Sequence, residues 1–221
     1  MTIAVHKAAA RILHLGISTV EVTNFIHEAH KRVGASGSSF CIVLFGLATS
    51  FPHGVKEPQI LQTNDWVLID TGCLLHGYNS DITRSYAFGT ATNEQRVAWQ
   101  VEKDAQAAGF AAAQLGAPCG DVDNAARSVI AKHGYGPDYQ LPGLPHRTGH
   151  GCGLDIHEWP YLLRGDRTPL ATGMVFSNEP MLVIPEKFGI RLEDHFYMNE
   201  NGPVWFTEPS HSLDDPFGLE V

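Results

Sequence analysis

The sequence lacks a long apolar run, a basic cluster and a signal-peptide pattern. No stretch reaches the roughly 20 mostly apolar residues that a membrane-spanning helix needs. Lys7 and Arg11 lie within the apolar N-terminal stretch, whereas a signal peptide has its basic residues before an apolar block. The formal net charge of -9 disfavours nucleic acid as a partner, because phosphate binding requires a basic face. We therefore expect neither a membrane nor a nucleic acid as partner.

The chain is also poor in cysteine, and no two cysteines form a C-x-x-C pair. Cys41, Cys73, Cys119 and Cys152 lie far apart in the sequence. Such spacing is typical neither of a disulfide framework nor of a zinc finger. The pattern predicts reduced thiols in a cytoplasmic protein.

Local patterns predict helices followed by strands, twice over. Ser18 with Glu21 and Thr92 with Gln95 form capping boxes, which mark helix starts. Helices are predicted over residues 5–15, from 18 to a break at 34, over 92–116 and over 121–133, and strands over 40–47, 65–70 and 74–88. The pair 71–72 is predicted to close the second strand. This order favours an α+β fold with an antiparallel sheet.

The two halves of the chain echo each other at a spacing of about 100 residues. The segment from Gly16 resembles the segment from Gly116, and each precedes a predicted helix. His53 and His150 are both followed by glycine. A spacing of this size excludes a solenoid repeat. It predicts a duplicated half-domain with a site between the halves.

Five acidic or imidazole residues stand in or beside apolar strand-like segments: Asp70, Asp81, His150, Glu179 and Glu193. Any one of them alone is more typical of a turn cap or a salt bridge. A carboxylate at the end of a buried strand costs several kcal/mol unless it is paired or bound to a metal. Together the five predict two divalent cations, because a set rich in carboxylate oxygen suits Mn²⁺, Co²⁺, Fe²⁺ or Zn²⁺.

The spacing and context of these residues are specific. Asp70 and Asp81 are eleven residues apart, and the second lies in GYNSDITR. His150 and His157 lie in HRTGHGCGLDIHEWP, Glu179 in NEP and Glu193 in GIRLED. From about residue 16 to 217 the chain resembles the pita-bread metallopeptidases, namely prolidase, aminopeptidase P and methionine aminopeptidase. The resemblance implies one pita-bread catalytic domain over residues 1–221, with a pseudo-twofold duplicated antiparallel sheet and covering helices.

The resemblance also implies a role for each ligand. Asp70 would chelate one metal ion, Asp81 and Glu193 would bridge two ions, and His150 and Glu179 would complete the second site. Mn²⁺ or Co²⁺ is expected ahead of Zn²⁺ or Fe²⁺. A hydroxide between the two ions would be the nucleophile that hydrolyses a peptide bond.

Further residues receive roles by the same resemblance. Glu179 would also be the general base, His157 would stabilise the tetrahedral intermediate, and His53 would line the substrate pocket. His146 and Arg191 would orient ligands or contact substrate. An arginine such as Arg164 or Arg167 would bind a substrate carboxylate, whereas His195 and His211 are expected to have no role in the site.

The expected substrate is a proline-containing peptide, cleaved as by a prolidase or aminopeptidase P. A methionine aminopeptidase-like enzyme, a non-catalytic peptide-binding or protein-binding module, and another metal-dependent lyase or hydrolase remain alternatives. Prolidases and aminopeptidases P usually have an additional N-terminal domain, which this chain is expected to lack. Because that domain often builds dimers, a substitute homodimer is also expected.

Overall fold

A computed structural model describes residues 1–218 of the protein. Two helix pairs cover two antiparallel sheets in this part of the chain. The α-helices are α1 (Thr2–Ile12), α2 (Thr19–Arg32), α3 (Asn93–Ala112) and α4 (Cys119–Lys132), and a 3₁₀ helix spans Gly46–Ser50. No helix within residues 1–218 is long and apolar enough to cross a membrane.

The strands follow the helix pairs in each half. They are β1 (Ser38–Phe45), β2 (Trp66–Leu75), β3 (Tyr78–Asn79), β4 (Ile82–Ala87), β5 (Gly149–Gly151), β6 (Glu158–Leu162), β7 (Val175–Asn178), β8 (Met181–Ile184), β9 (Phe188–Arg191), β10 (Asp194–Asn199) and β11 (Gly202–Trp205). In the first half β2 pairs with β1, β3 and β4, and in the second half the order is β11-β10-β7-β5-β6. Strands β8 and β9 form a separate hairpin. The predicted α+β class and antiparallel sheet are confirmed.

Both predicted capping boxes form. The Ser18 hydroxyl accepts a hydrogen bond from the Glu21 N–H at the start of α2, and Thr92 and Gln95 repeat this contact at α3. In each box the longer side chain accepts the N–H of the cap residue in return. Helix α3 ends at Ala112, four residues before the predicted end near Gly116.

Strand β2 continues past the predicted stop at residues 71–72 and ends only at Leu75. The prediction that Asp70 ends a strand was therefore wrong. Gly72 is needed for a close approach between strands rather than for a turn, since a Cβ there would lie 1.7 Å from the Ser80 carbonyl oxygen. Asp70 consequently lies inside the sheet, between β1 and β4.

The echo between the halves appears in the backbone hydrogen bonds. The Gly16 N–H donates to the Leu61 carbonyl, and the Gly116 N–H donates to the Leu170 carbonyl. Both glycines have positive φ, at 89° and 80°. Because the same loop contacts recur with the same backbone geometry, the predicted duplication of a half-domain is confirmed.

Three apolar clusters support this arrangement. One packs α1 and α2 against the first sheet around Ile26 and Ile69, and another packs α3 and α4 against the second sheet around Phe176 and Phe196. The third joins the halves and includes Trp99 of α3. The strands that bear the acidic residues are thus fixed by packing on the side of the helices.

Candidate metal centre

The five predicted ligands converge where the two halves meet. Asp70 and Asp81 come from the first sheet, on β2 and just before β4, and His150 comes from β5 of the second sheet. Glu179 follows β7 directly, and Glu193 lies between β9 and β10. Strands that are distant in sequence therefore bring the five side chains together, although their role as metal ligands stays a prediction.

The distances within this cluster fit a shared ion. His150 Nε2 lies 3.2 Å from Glu179 Oε1 and 3.6 Å from Asp81 Oδ2. Ligand atoms of His150, Glu179 and Glu193 all lie within 4.8 Å of one another. Cations of the first transition series bind such atoms at about 2.0–2.2 Å, so one ion can reach several of them at once.

Arg191 forms a buried ion pair with Asp70. The guanidinium Nη2 of Arg191 donates to Asp70 Oδ2, while its Nε donates to the Thr83 hydroxyl at 3.1 Å. Arg191 also donates to the Pro52 carbonyl at 3.2 Å. The structure thus places Arg191 where the sequence predicted a group that orients a ligand.

Negative charge is concentrated in this buried space. Burial raises the pKa of Asp70, and raises those of Asp81 and Glu193 well above their usual range, and neighbouring carboxylates add to the effect. Burial also disfavours ionised Glu179, but its hydrogen bond with His150 outweighs this and lowers the Glu179 pKa. The positive charge of Arg191 opposes the raised pKa values of Asp70, Asp81 and Glu193 but does not cancel them.

A pair of divalent cations fits this donor set. Asp70 Oδ1, Asp81 Oδ1 and Glu193 Oε1 are buried and have no hydrogen-bond partner among the described residues. Buried carboxylate oxygens are normally paired or bound to a metal, because an unsatisfied charge costs several kcal/mol. Four carboxylates and one imidazole are hard donors that suit Mn²⁺, Co²⁺, Fe²⁺ or Zn²⁺.

A cleft of about 690 Å³ opens onto the cluster, and the other predicted site residues line it. The His157 ring meets the His150 ring edge-on, with centroids 4.4 Å apart. His53 lies at the exposed side of the cleft, and His146 bonds the Arg147 carbonyl through Nδ1 at 2.7 Å. The structure therefore places His53, His146 and His157 in one cleft with the acidic cluster.

The two arginines expected to bind a substrate carboxylate lie outside the cleft. Arg164 forms an exposed ion pair with Asp138 and does not line the cleft. Arg167 does not line it either. Arg147 does line it, and its guanidinium carbon lies 4.7 Å from the centroid of the Tyr161 ring. Sequence reasoning missed Arg147 although it directly follows His146 in the HRTGHG motif.

His195 is the second residue that sequence reasoning missed. Its side chain is buried, and a ligand atom of His195 lies within 4.8 Å of ligand atoms of Asp81 and Glu193. Burial lowers the pKa of His195 to about 4. His195 was expected to have no role in the site, yet the structure places it beside the acidic cluster, since residues two positions apart in an extended segment face the same side.

Comparison with known proteins identifies the family. The model of metallopeptidase family M24 matches residues 1–200. The putative dipeptidase YkvY of Bacillus subtilis is 40% identical over 197 residues, covering 89% of this chain and 53% of the relative. The Xaa-Pro dipeptidase of Pyrococcus furiosus is 37% identical over 194 residues, covering 87% and 54%.

Solved structures agree. The dipeptidase PepE of Mycobacterium ulcerans superposes with a TM-score of 0.90 at 35% identity, covering 96% of this chain and 56% of that one. The prolidase of Pyrococcus furiosus gives 0.87 at 35% identity, covering 93% and 60%. The predicted pita-bread fold is thereby confirmed. The chain spans about half the length of the curated relatives it matches, and it belongs to metallopeptidase family M24.

Proposed function

We propose that this chain is a dinuclear metal-dependent peptidase that hydrolyses peptide bonds next to proline. The observation that supports it is the convergence of three buried carboxylates, the half-buried Glu179 and His150 beside an open cleft. The relatives named Xaa-Pro dipeptidase and prolidase support proline as the specificity. Asp70, Asp81, His150, Glu179 and Glu193 would hold the two ions.

The bound ions would supply Lewis acidity and an acidified water. Glu179 is the candidate general base, because its carboxylate is partly exposed to the cleft and has a low pKa that keeps it ionised at neutral pH. Its Oε1 lies 3.2 Å from His150 Nε2, which fixes the direction of the carboxylate. Glu179 can therefore accept a proton from a water in the cleft.

Two exposed histidines and Arg147 add further polar groups to the cleft. His157 stands edge-on to His150 and offers a donor to the oxygen that becomes negative when the peptide carbonyl is attacked. His53 lines the same cleft near Pro52 and would contact the substrate. Arg147 adds a positive charge that suits the terminal carboxylate of a dipeptide.

The finer features of this proposal come from the chemistry of the residues. A carboxylate-rich set favours Mn²⁺ or Co²⁺. All four cysteines are free thiols, which supports a cytoplasmic setting. A homodimer would complete the assembly expected for this family.

The test is hydrolysis of Xaa-Pro dipeptides and Xaa-Pro-Yaa tripeptides by chelator-stripped protein, with and without Mn²⁺ or Co²⁺. We expect metal-restored cleavage at proline, with a preference for dipeptides because of Arg147. Asp81→Ala should lose turnover while it keeps the wild-type circular dichroism spectrum, because it removes a bridging ligand.

Three outcomes would contradict the proposal. Retained turnover in Asp81→Ala would exclude the two-metal assignment. Cleavage of peptides with N-terminal methionine in place of Xaa-Pro substrates would favour a methionine aminopeptidase-like enzyme. Two bound ions without cleavage of any peptide, combined with peptide binding, would favour a non-catalytic module.

A further inference from the structure

We propose that His195 is a positioning residue of the metal centre, and that its Nε2–H holds Asp81 by a hydrogen bond when the ions are bound. This inference rests on the proposed metal centre and adds a residue to it. Asp81 is the ligand expected to bridge the two ions, so a group that fixes its carboxylate acts on both sites at once.

The register between two strand segments carries the argument. Strand β4 meets the segment around Glu193 in antiparallel fashion, with an isolated bridge between Thr83 and Glu193. In an antiparallel pair, the residue two positions before one partner lies opposite the residue two positions after the other partner. The residue opposite Asp81 is therefore His195, and directly opposed side chains have Cβ atoms about 4.5–5.5 Å apart.

The neighbouring pairs in this register are already bonded. The Thr83 hydroxyl donates to Glu193 Oε2 at 2.6 Å. One step further, the Ser85 hydroxyl donates to the Arg191 carbonyl at 3.0 Å and accepts the Arg191 N–H at 3.1 Å. The Asp81–His195 pair is thus the third of three polar pairs on one side of the contact.

The Asp81–His195 pair has a possible donor and a possible acceptor without hydrogen-bond partners among the described residues. His195 Nε2 and Asp81 Oδ1 are both buried, and neither has a hydrogen-bond partner among residues 1–218. Ligand atoms of the two residues lie within 4.8 Å of each other. A hydrogen bond between Nε2 and Oδ1 would break no existing hydrogen bond of these two atoms among the described residues. Buried polar atoms without partners are uncommon, so a contact between them is favoured.

The contact would complete the internal symmetry of the site. Each bridging carboxylate is followed two residues later by a polar side chain, Thr83 after Asp81 and His195 after Glu193. Thr83, in the first half, donates to the Glu193 carboxylate of the second half, and His195, in the second half, lies close to the Asp81 carboxylate of the first. Groups that hold metal ligands in place typically contribute 10–100-fold to metal affinity.

The test uses two substitutions at one position. His195→Gln keeps an N–H at about the place of Nε2, whereas His195→Phe keeps the ring volume and removes the donor. The affinity for Co²⁺ is measured by competition with a chelating indicator, and the thermal midpoint of the metal-free proteins is measured in parallel. Thr83→Val serves as the positive control, and His30→Phe as the matched control, since His30 is buried and bonds Ser38 and Thr2.

We expect His195→Phe and Thr83→Val to bind Co²⁺ about 10–100-fold more weakly, and His195→Gln to regain most of the affinity. Metal-free His195→Phe should melt no lower than the wild type, because it removes a buried nitrogen without a partner. His30→Phe should keep wild-type affinity. Unchanged affinity in His195→Phe, or an equal loss in His195→Gln, would overturn the donor role. A wild-type chain that binds no Co²⁺ would instead overturn the metal centre itself.

Discussion

At the scale of single residues, His6 on α1 is a buried histidine outside the metal centre. Its Nε2 contacts the Ile82 carbonyl at 3.0 Å, and its Nδ1 has no partner among the described residues. Burial, together with the smaller effect of the positive charge of Arg84, lowers the pKa of His6 from its usual 6.5 to about 3. His6 is therefore neutral in the folded protein throughout the physiological pH range.

This neutral histidine predicts a loss of stability in acid. Between pH 6.5 and about 3 the unfolded chain binds a proton at His6 and the folded chain does not. The free energy of unfolding therefore falls as pH is lowered through that range, by up to about 1.4 kcal/mol per pH unit for one such group. His6→Gln keeps a donor toward the Ile82 carbonyl but has no group that titrates in this range. The slope of its unfolding free energy against pH should therefore be shallower than that of the wild type by up to about 1.4 kcal/mol per pH unit.

Urea unfolding of both proteins at pH 7, 6 and 5 measures the two slopes. Comparison of the two proteins removes the contribution of the carboxylates that they share. Parallel slopes would mean that His6 titrates alike in the folded and unfolded chains, which would contradict its burial as a neutral ring.

The site residues differ in how far the sequence could predict them. Asp70, Asp81, Glu179 and Glu193 stand in the short motifs that carry the family resemblance, so their positions could be predicted before their geometry was known. His195 could not, because its place depends on the register between β4 and β10, which are more than 100 residues apart. Pairings between distant strands leave no local pattern to detect.

At the scale of elements, helix α3 makes hydrogen bonds with the two segments that carry Glu179 and Glu193. Gln106 Nε2 donates to the Leu192 carbonyl at 3.1 Å and to Asp194 Oδ2 at 3.1 Å. The Gln106 carbonyl accepts a hydrogen bond from Asn178 Nδ2 at 2.9 Å. Residues 178 and 192 directly precede Glu179 and Glu193. One turn of α3 thus fixes both carboxylate-bearing segments.

Gln106→Leu should therefore lower stability and weaken metal binding together. It removes the side-chain donor to the Leu192 carbonyl and one of two donors to Asp194 Oδ2, which keeps its bond from Arg84. An unsatisfied buried group costs about 1–3 kcal/mol. Chemical denaturation measures the first effect, and a Co²⁺ titration measures the second.

Gln100→Leu on the exposed face of α3 is the matched control, since among the described residues its amide donates to the neighbouring Asp104, one turn along the helix. An exposed change of this kind should stay within about 0.5 kcal/mol. Equal losses in the two variants would show that helix propensity, rather than the buried contacts of Gln106, explains the effect.

Sequence patterns predicted the elements where the signal is local. The capping boxes at Ser18 and Thr92 formed because the four residues involved are enough to satisfy the first N–H groups of a helix. The prediction that the strand ends at 71–72 was wrong, because Gly72 is required by the close approach of the Ser80 carbonyl and not by a turn. A glycine signals either a turn or a close approach, and only the tertiary structure separates the two.

At the scale of the whole molecule, the candidate centre lies across the junction of the two halves. Asp70 and Asp81 come from the first half of the chain, and His150, Glu179 and Glu193 come from the second. An ion shared by both sets would cross-link the halves, in addition to the apolar cluster around Trp99. Metal binding and folding stability should therefore be linked.

This linkage gives the last prediction. A ligand that binds only the folded state stabilises it by about 2.7 kcal/mol at 100 times its Kd, which raises the melting temperature of a protein of this size by about 5–10 °C. Mn²⁺ should produce this shift in chelator-stripped protein, measured by calorimetry. Asp81→Asn should abolish the shift yet melt no lower than the metal-free wild type, because burial and the neighbouring carboxylates disfavour ionised Asp81 and raise its pKa when no ion is bound. A full shift in Asp81→Asn would place the stabilising ions somewhere other than between the two halves.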